Sequence, residues 1–380
     1  MKVKAIEGLR GYLSLWVLLS HVLGYCGLRA GVLNGPAAAL GLGELPVQFF
    51  IIISGFVIFY LLDHKKENYL AYVARRFFRL YPLFILVFAI SIPISLVLPS
   101  LGDNLGHLFE TNYPRLDSFY SWWEHFRLNI IAHLFMLHGI VPDVVAPSAP
   151  AAFLGPAWSI SLEWQFYLIA PLGYSLISRV ASRGWRLPFT LLVVYFLFVL
   201  VRYLYPYVEL GAFFPDHAHY FIYGIMSYFV YKYLYTKCSG IEWNVISIAI
   251  VLALSIGLSV RTYDVLPFVA WLVFLSCCLS VGNKGIEYVF ENRLILSLGQ
   301  ISYGIYLIHM PVLLLSLYVI INCYGSNVTA MEVFVVAGPF TLITTVLLAA
   351  LAHRFVEQPG MAVGRRYAAK FSTDKKIAND

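Results

Sequence analysis

Two polar residues with a high cost of burial, Arg10 and His21, interrupt the first long apolar segment of the chain. They are eleven positions apart, so on a helix they differ by only about 20° in azimuth and about 16 Å in depth. Ser14 falls on the same face. Ionisable residues at bilayer depth usually face a bundle interior or a cavity, where they take part in chemistry or carry ions. The alternative is that Arg10 reaches the lipid headgroups and His21 is a hydrogen-bonded packing residue.

Two later apolar segments carry similar polar faces, Ser159, Glu163 and Tyr167 in one and Ser302, Tyr306 and His309 in the other. Counted along helices, His21 and His309 lie roughly 20 Å from one membrane face and Glu163 roughly 9 Å from the other, which predicts one shared depth for all three. An imidazole beside a carboxylate is the pairing that general-base catalysis on a hydroxyl requires. We therefore interpret His21 and Glu163 as a catalytic pair, with a purely structural hydrogen bond as the alternative.

A basic cluster precedes the third apolar segment and consists of Lys65, Lys66, Arg75, Arg76 and Arg79. Such a cluster is typical of the cytoplasmic end of a membrane helix, where it sets the orientation of the helix across the membrane and contacts lipid phosphates. It also suits a polyphosphate cofactor, because the guanidinium group binds phosphate in a bidentate manner.

Composition indicates an all-α polytopic membrane protein, since 60% of the residues are hydrophobic and only 12% are charged. A membrane helix needs about 20 apolar residues. Ten predicted transmembrane helices follow: Ile6–Cys26, Leu45–Leu62, Leu80–Leu98, Ala157–Ile177, Pro188–Tyr205, Tyr220–Tyr235, Val245–Val260, Val265–Val281, Leu294–Asn322 and Val333–Phe355. They define a membrane domain over residues 1–360 and a cytoplasmic tail over 361–380.

Charge placement agrees with this topology. With the N-terminus inside, the 26 lysine and arginine residues fall on the cytoplasmic side except Arg29, Arg115, Arg127, Arg202 and Arg261. Both termini are then cytoplasmic, and the net charge of +6 requires no nucleic-acid partner. Cys26 and Cys323 both lie near predicted outer helix ends, and the sequence leaves open whether they form a disulfide.

One short apolar run, Leu128–Val141, is expected to be a short re-entrant or interfacial helix. It contains His133 and His138, and counting it as a span would invert the later charge pattern.

The chain resembles the acyltransferase 3 family through six motifs in the same order. They are Ile6-Glu7-Gly8-Leu9-Arg10-Gly11 with His21, Phe49-Phe50-Ile51-Ile52-Ile53-Ser54-Gly55-Phe56, Arg75-Arg76-Phe77-Phe78-Arg79-Leu80-Tyr81-Pro82, Trp158-Ser159-Ile160-Ser161-Leu162-Glu163-Trp164-Gln165-Phe166-Tyr167 with Pro171, Ile301-Ser302-Tyr303-Gly304-Ile305-Tyr306-Leu307-Ile308-His309 with Pro311, and Glu357-Gln358-Pro359. The family usually has a basic residue where this chain has Gln358.

The resemblance implies a multi-pass enzyme of the bacterial cytoplasmic (inner) membrane that moves an acyl group, most often acetyl from acetyl coenzyme A, to a hydroxyl of a surface glycan. The family's functional residues map onto Arg10 and His21 in the first span, Arg75, Arg76 and Arg79 before the third, and Glu163 in the fourth.

Together these observations give a hypothesis for the site. Coenzyme A phosphates dock on Arg75, Arg76 and Arg79 with Arg10 nearby, and His21, oriented by Glu163, removes the acceptor proton. Ser54, Tyr303, Tyr306 and His309 are expected beside the bound donor, where hydroxyl groups could stabilise the oxyanion. The expected acceptor residues are Trp158, Ser159, Asp216, His217 and His219. An interfacial cluster is the alternative for the last three, and a route through an acyl-histidine stays open.

A proton-coupled transporter or flippase is the alternative function, because intramembrane His, Glu and Arg residues also form proton relays. The expected partners are membrane lipid and a glycan or lipid-linked glycan acceptor, with no metal. The sequence leaves open the identity of the acceptor, the length of the acyl group and the oligomeric state.

Overall fold

The computed structural model describes residues 3–28, 35–108, 116–181, 211–235, 266–279 and 284–377, and their regular structure is helical. The α-helices, numbered α1 to α14 in chain order, are Val3–Tyr25, Glu44–His64, Tyr69–Ile94, Leu98–Leu105, Leu116–Glu124, Phe126–Leu134, Trp158–Ala181, Phe214–Tyr235, Leu266–Leu279, Lys284–Phe290, Arg293–Gln300, Ser302–Tyr324, Ala330–Ala352 and Gln358–Ile377. Short 3₁₀ turns occur at Gly35–Gly41, Ser95–Val97, His138–Ile140, Ala149–Ala151 and Gly155–Ala157, and a π-helical turn at His353–Glu357 links α13 to α14.

Four continuous helical stretches in the described residues are long and apolar enough to cross a membrane: Glu44–His64, Tyr69–Leu105, Ser302–Tyr324 and Ala330–Phe371. The other predicted spans in the described residues are less apolar, as in α1, α7 and α8, or shorter, as in α9. Two predicted spans, Pro188–Tyr205 and Val245–Val260, lie outside the described residues. The all-helical fold class is therefore confirmed for the described residues, with four helices suited to span a membrane, whereas the count of ten spans stays a prediction.

Helix α12 is the most enclosed of the four, with 83% of its most apolar stretch buried against 50% or less in the others. It packs against α1, α3, α4 and α13. The single predicted span Leu294–Asn322 is in fact two helices, because the backbone leaves helical geometry at Ile301 (φ −96°, ψ 6°) between α11 and α12. This break places the hydroxyl-bearing first turns of α12 at the centre of the bundle.

Helix α3 begins eleven residues before the predicted start at Leu80. Asn68 caps it, since its side-chain oxygen accepts a hydrogen bond of 2.7 Å from the backbone N–H of Ala71. The arginine cluster therefore lies on a rigid helix rather than on a loop between two spans. Helix α14, in the segment expected to be a tail, packs along α3. Cys26 is a buried free thiol and Cys323 an exposed one.

Helices α2 and α8 cross at close range through two glycines. A Cβ on Gly55 would overlap the backbone of Phe221, and a Cβ on Gly224 would overlap the carbonyl oxygen of Ile52. Small residues of this kind let two membrane helices approach closely. The crossing fixes the position of Ser54, which precedes Gly55 in the chain.

We expect Gly224→Ala to lower the free energy of unfolding by about 1–3 kcal/mol, because the added methyl group must push α2 and α8 apart. The thermal unfolding midpoint of the purified protein in detergent measures this. Gly173→Ala is the matched control, since Gly173 is also helical and a Cβ there meets nothing within 4 Å. Equal midpoints for the two variants would show that the crossing does not depend on the glycines.

Candidate active site

A cavity of about 280 Å³, here called the arginine chamber, lies where α1, α2, α3, α7 and α12 meet. Its polar lining residues are Arg10, Ser54, Arg76, Arg79, Ser159, Glu163, Tyr167, Ser302, Tyr303 and Tyr306. The structure thus brings together polar residues from five segments that the sequence separates by as many as about 300 positions.

The arginine chamber has an excess of positive charge. Arg10, Arg76 and Arg79 face a single carboxylate, Glu163, and none of the three guanidinium groups forms a salt bridge with a described residue. The Nε atoms of Arg10 and Arg76 are buried without a hydrogen-bond partner. Charged groups in a low-dielectric interior require a counter-charge, so the chamber is suited to bind an anion.

Glu163 forms hydrogen bonds to hydroxyl groups and no salt bridge with these arginines. Its Oε1 accepts a hydrogen bond of 2.9 Å from the hydroxyl of Ser54 and a further one from the hydroxyl of Tyr167. The guanidinium of Arg76 lies 5.7 Å from the ring centroids of Tyr72 and Tyr167, in cation–π contact. These contacts hold the carboxylate and one arginine in fixed positions on the chamber wall.

Arg75 differs from the expectation of one docking cluster of three arginines. Its guanidinium lies 2.9 Å from the carboxylate of Glu67, which Lys65 approaches to 3.7 Å, and it does not line the arginine chamber. Arg76 and Arg79 face the chamber, whereas Arg75, one turn before Arg79 on α3, is directed to Glu67 in the loop before the helix.

A second cavity of about 750 Å³, here called the histidine cavity, lies beside the arginine chamber. Its polar lining residues are Ser20, His21, Glu44, Gln48, Asp143, Ser148, Trp158, Asp216, His217, His219, Tyr220 and Tyr306. It is formed by the C-terminal end of α1 and the N-terminal ends of α2, α7 and α8. Since Arg10 lies near the start of α1 and His21 near its end, the two cavities occupy different depths of the bundle.

His21 contacts His309, whereas Glu163 hydrogen-bonds to neither histidine. Nδ1 of His21 lies 2.9 Å from the carbonyl oxygen of Val17, and Nδ1 of His309 lies 3.1 Å from that of Ile305. A carbonyl can only accept, so both Nδ1 atoms carry a proton. Nε2 of His309, 3.3 Å from Nδ1 of His21, is then an acceptor. This assignment leaves the lone pair of His21 on Nε2, the atom that would act as a base.

Tyr306 lines both cavities and separates them. Its hydroxyl lies 2.7 Å from the hydroxyl of Ser159 and donates to the carbonyl oxygen of Pro156 at 3.1 Å. Tyr303 differs, because its hydroxyl donates to the backbone carbonyl of Leu80 at 2.8 Å and joins α12 to α3. Of the two tyrosines, Tyr306 is therefore the one placed on the path between the arginine chamber and the histidine cavity.

Four of the five expected acceptor residues, Trp158, Asp216, His217 and His219, line the histidine cavity, and Ser159 lines the arginine chamber. The rings of Trp158 and His217 lie 5.3 Å apart, and Nε2 of His217 is 3.8 Å from the carboxylate of Asp216. An aromatic ring beside polar groups suits a polyhydroxylated ligand. Glu44, Gln48 and Asp143 belong to the same wall and were not expected, because they lie near helix ends and in a loop without a recognisable spacing.

The segment expected to be a short re-entrant or interfacial helix contains the nine-residue helix α6 and a histidine pair beneath α7. The rings of His133 and His138 are fully buried and stack with centroids 3.9 Å apart, and Phe88 covers the other face of His133. Nε2 of His138 donates to the carbonyl oxygen of Ala157 at 2.8 Å. That bond holds the start of α7, which carries Trp158, Ser159 and Glu163.

Comparison with known proteins identifies relatives of the chain. The family model described as an acyltransferase domain matches residues 3–353. A protein named acyltransferase MdmB, from Streptomyces mycarofaciens, is 26% identical over 188 residues, which span 48% of this chain and 42% of the relative's length. No solved structure matches the chain.

The histidine pair predicts a dependence of stability on pH. Burial lowers the pKa of His138 to about 4 and that of His133 well below its usual value. A lowered pKa in the folded state means that the unfolded chain takes up the proton first, so the folded state loses stability as the pH falls from about 6.5 towards 4.

We expect His138→Gln to reduce this loss, because its amide can donate to Ala157 and does not titrate. The thermal unfolding midpoints of the two proteins, measured between pH 6.5 and 4.5, test this. His64→Gln is the control, since His64 is exposed and hydrogen-bonds only within α2. Parallel pH profiles for the natural protein and His138→Gln would contradict the assignment.

Proposed function

Because the chain belongs to the acyltransferase 3 family, we propose that it moves an acetyl or other short acyl group from acyl coenzyme A to a hydroxyl of a cell-surface glycan or its lipid-linked precursor. The observation that supports this most is the pair of cavities that share Tyr306: one has an excess of positive charge and the other is lined by His21. An anionic acyl donor and a hydroxyl-bearing acceptor then reach one reaction centre from opposite sides.

The arginine chamber is the donor site in this proposal. Coenzyme A carries several phosphate charges, and Arg76, Arg79 and Arg10 offer guanidinium groups that form no salt bridge with a described carboxylate. Charge-assisted hydrogen bonds from arginine to phosphate are among the stronger ones in proteins. The thioester arm then extends along α12 past Tyr306 towards His21. The chamber faces the cytoplasm, where coenzyme A is found, and both termini are on that side of the inner membrane.

His21 acts as the general base. Its Nε2 takes the proton from the acceptor hydroxyl while the oxygen attacks the thioester carbonyl. The carbon–sulfur bond breaks as the new carbon–oxygen bond forms, and the proton passes from Nε2 to the departing thiolate. The charge on the imidazolium is stabilised at Nδ1, where the proton is shared between the carbonyl oxygen of Val17 and Nε2 of His309. His309 thereby takes the positioning role that the sequence assigned to Glu163.

Tyr306 acts on the thioester carbonyl, which is the electrophile of the reaction. Its hydroxyl lies at the junction of the two cavities, beside the hydroxyl of Ser159. When the thioester occupies the junction, a hydroxyl that exchanges its bond to the Pro156 carbonyl for one to the substrate stabilises the developing oxyanion. Glu163 keeps Ser54 and Tyr167 in place on the chamber wall and shapes the donor site.

Arginine substitutions test the donor site through a matched pair on one helix. We expect Arg79→Gln to weaken coenzyme A binding about ten- to a hundredfold, because it removes a charge-assisted contact in a buried site. Arg75→Gln should change the dissociation constant less than about threefold, since Arg75 is directed to Glu67 and not to the chamber. Titration of the purified protein with coenzyme A measures both. An equal loss in the two variants, or none in Arg79→Gln, would contradict the proposed docking.

Histidine substitutions test the base and its positioning partner. We expect His21→Ala to abolish transfer of labelled acetyl groups to surface glycan in membrane preparations, and His309→Leu to lower kcat about ten- to a hundredfold with little change in KM. His309→Gln should recover part of kcat, because its amide oxygen can accept from Nδ1 of His21. Normal turnover in His309→Leu, or equal turnover in the Leu and Gln variants, would exclude the positioning role.

A further inference from the structure

A third cavity, here called the side cavity, has a volume of about 210 Å³ and adjoins the histidine cavity. The two share Ser148, Ala151 and Gly155, which belong to the loop that precedes α7. The side cavity is lined mainly by apolar side chains, among them Ile94, Leu98, Phe153, Met310 and Leu314. None of the functional residues inferred above lines it, so the proposed reaction leaves it without a role.

The side cavity is lined in part by α1 and α12, the two helices that carry His21 and His309. Met310 and Pro311, which line it, directly follow His309 in the chain, and Tyr25 is one helical turn beyond His21 on the same face of α1. A group attached to a carbonyl carbon beside His21 would therefore meet either the polar wall of the histidine cavity or the opening of the side cavity.

We propose that the side cavity binds the hydrocarbon chain of the transferred acyl group, so that the preferred donor carries a chain longer than acetyl. This inference rests on the proposed function and specifies its donor. The histidine cavity is a poor site for a hydrocarbon chain, because its wall contains carboxylates, imidazoles and hydroxyls. The side cavity offers an apolar site that adjoins the histidine cavity at Ser148, Ala151 and Gly155.

The volume of the side cavity sets the length of chain that fits. An apolar cavity of about 150 Å³ in another protein accepts benzene, so 210 Å³ has room for a linear chain of roughly six carbons. An acetyl group would leave most of this space empty, which forgoes the favourable transfer of apolar surface from water. The side cavity thus favours a medium-length acyl group over acetyl.

Two thioether analogues that cannot be transferred, S-ethyl and S-hexyl coenzyme A, test this without an identified acceptor. We expect the S-hexyl analogue to bind the purified protein roughly 250-fold more tightly, because each of its four additional methylenes contributes roughly fourfold in affinity when buried. Leu314→Phe, which fills the side cavity from α12, should remove this difference and leave the affinity for the S-ethyl analogue unchanged.

Leu315→Phe is the matched control, since Leu315 is the next residue on α12 and is 41% exposed on the outside of the bundle. Ser91→Leu fills the side cavity from α3 and provides a second variant if Leu314→Phe does not fold.

Equal affinities for the two analogues in the natural protein would overturn the inference while leaving the donor proposal intact. Failure to bind either analogue would overturn the donor proposal itself. Unchanged discrimination in both filled variants would assign the side cavity to another occupant, such as a lipid chain.

Discussion

The excess of positive charge inside the helix bundle is the constraint on which the rest of the structure depends. Three guanidinium groups share the arginine chamber with one carboxylate, and hydroxyl groups already hold that carboxylate. Such an arrangement is costly in a low-dielectric interior unless an anion completes it. The capped start of α3 and the close crossing of α2 and α8 provide the rigidity that keeps these charges near one another.

Helix α12 connects the arginine chamber to the histidine cavity. Its first turns contribute Ser302, Tyr303 and Tyr306 to the arginine chamber, and His309, one turn further, holds His21 beside the larger cavity. Tyr306 stands between the two cavities and hydrogen-bonds to both Ser159 and Pro156. Val47 is the other residue that lines both cavities, so these two side chains form the boundary between the arginine chamber and the histidine cavity.

Helical periodicity was sufficient to predict much of the site. It places Arg10 and His21 on one face of α1 and Ser159 with Glu163 on one face of α7. The family assignment from six motifs is confirmed separately. Helical periodicity does not identify the partner of His21. Positions along one helix give depth and azimuth, but the choice between Glu163 and His309 depends on how α1, α7 and α12 pack, which the sequence does not encode locally.

The remaining differences have similar physical origins. The sequence could not reveal that Arg75 is neutralised, since its contact with Glu67 depends on the loop that leads into α3. Hydropathy does not reveal the break at Ile301, because an apolar run carries no signal for a change in backbone geometry. The sequence marks His133 and His138 as polar but does not reveal that they hold the start of α7, because the partner of His138 is a backbone carbonyl.

In the proposed reaction, a donor bound by the arginines reaches His21 by passing Tyr306. The most direct measurement is an experimental structure of the protein with bound S-ethyl coenzyme A. The account predicts phosphate density against Arg76 and Arg79, and the sulfur atom beyond Tyr306 within contact distance of Nε2 of His21. Phosphate density elsewhere, or a sulfur atom that remains in the arginine chamber with the Tyr306–Ser159 bond intact, would contradict it.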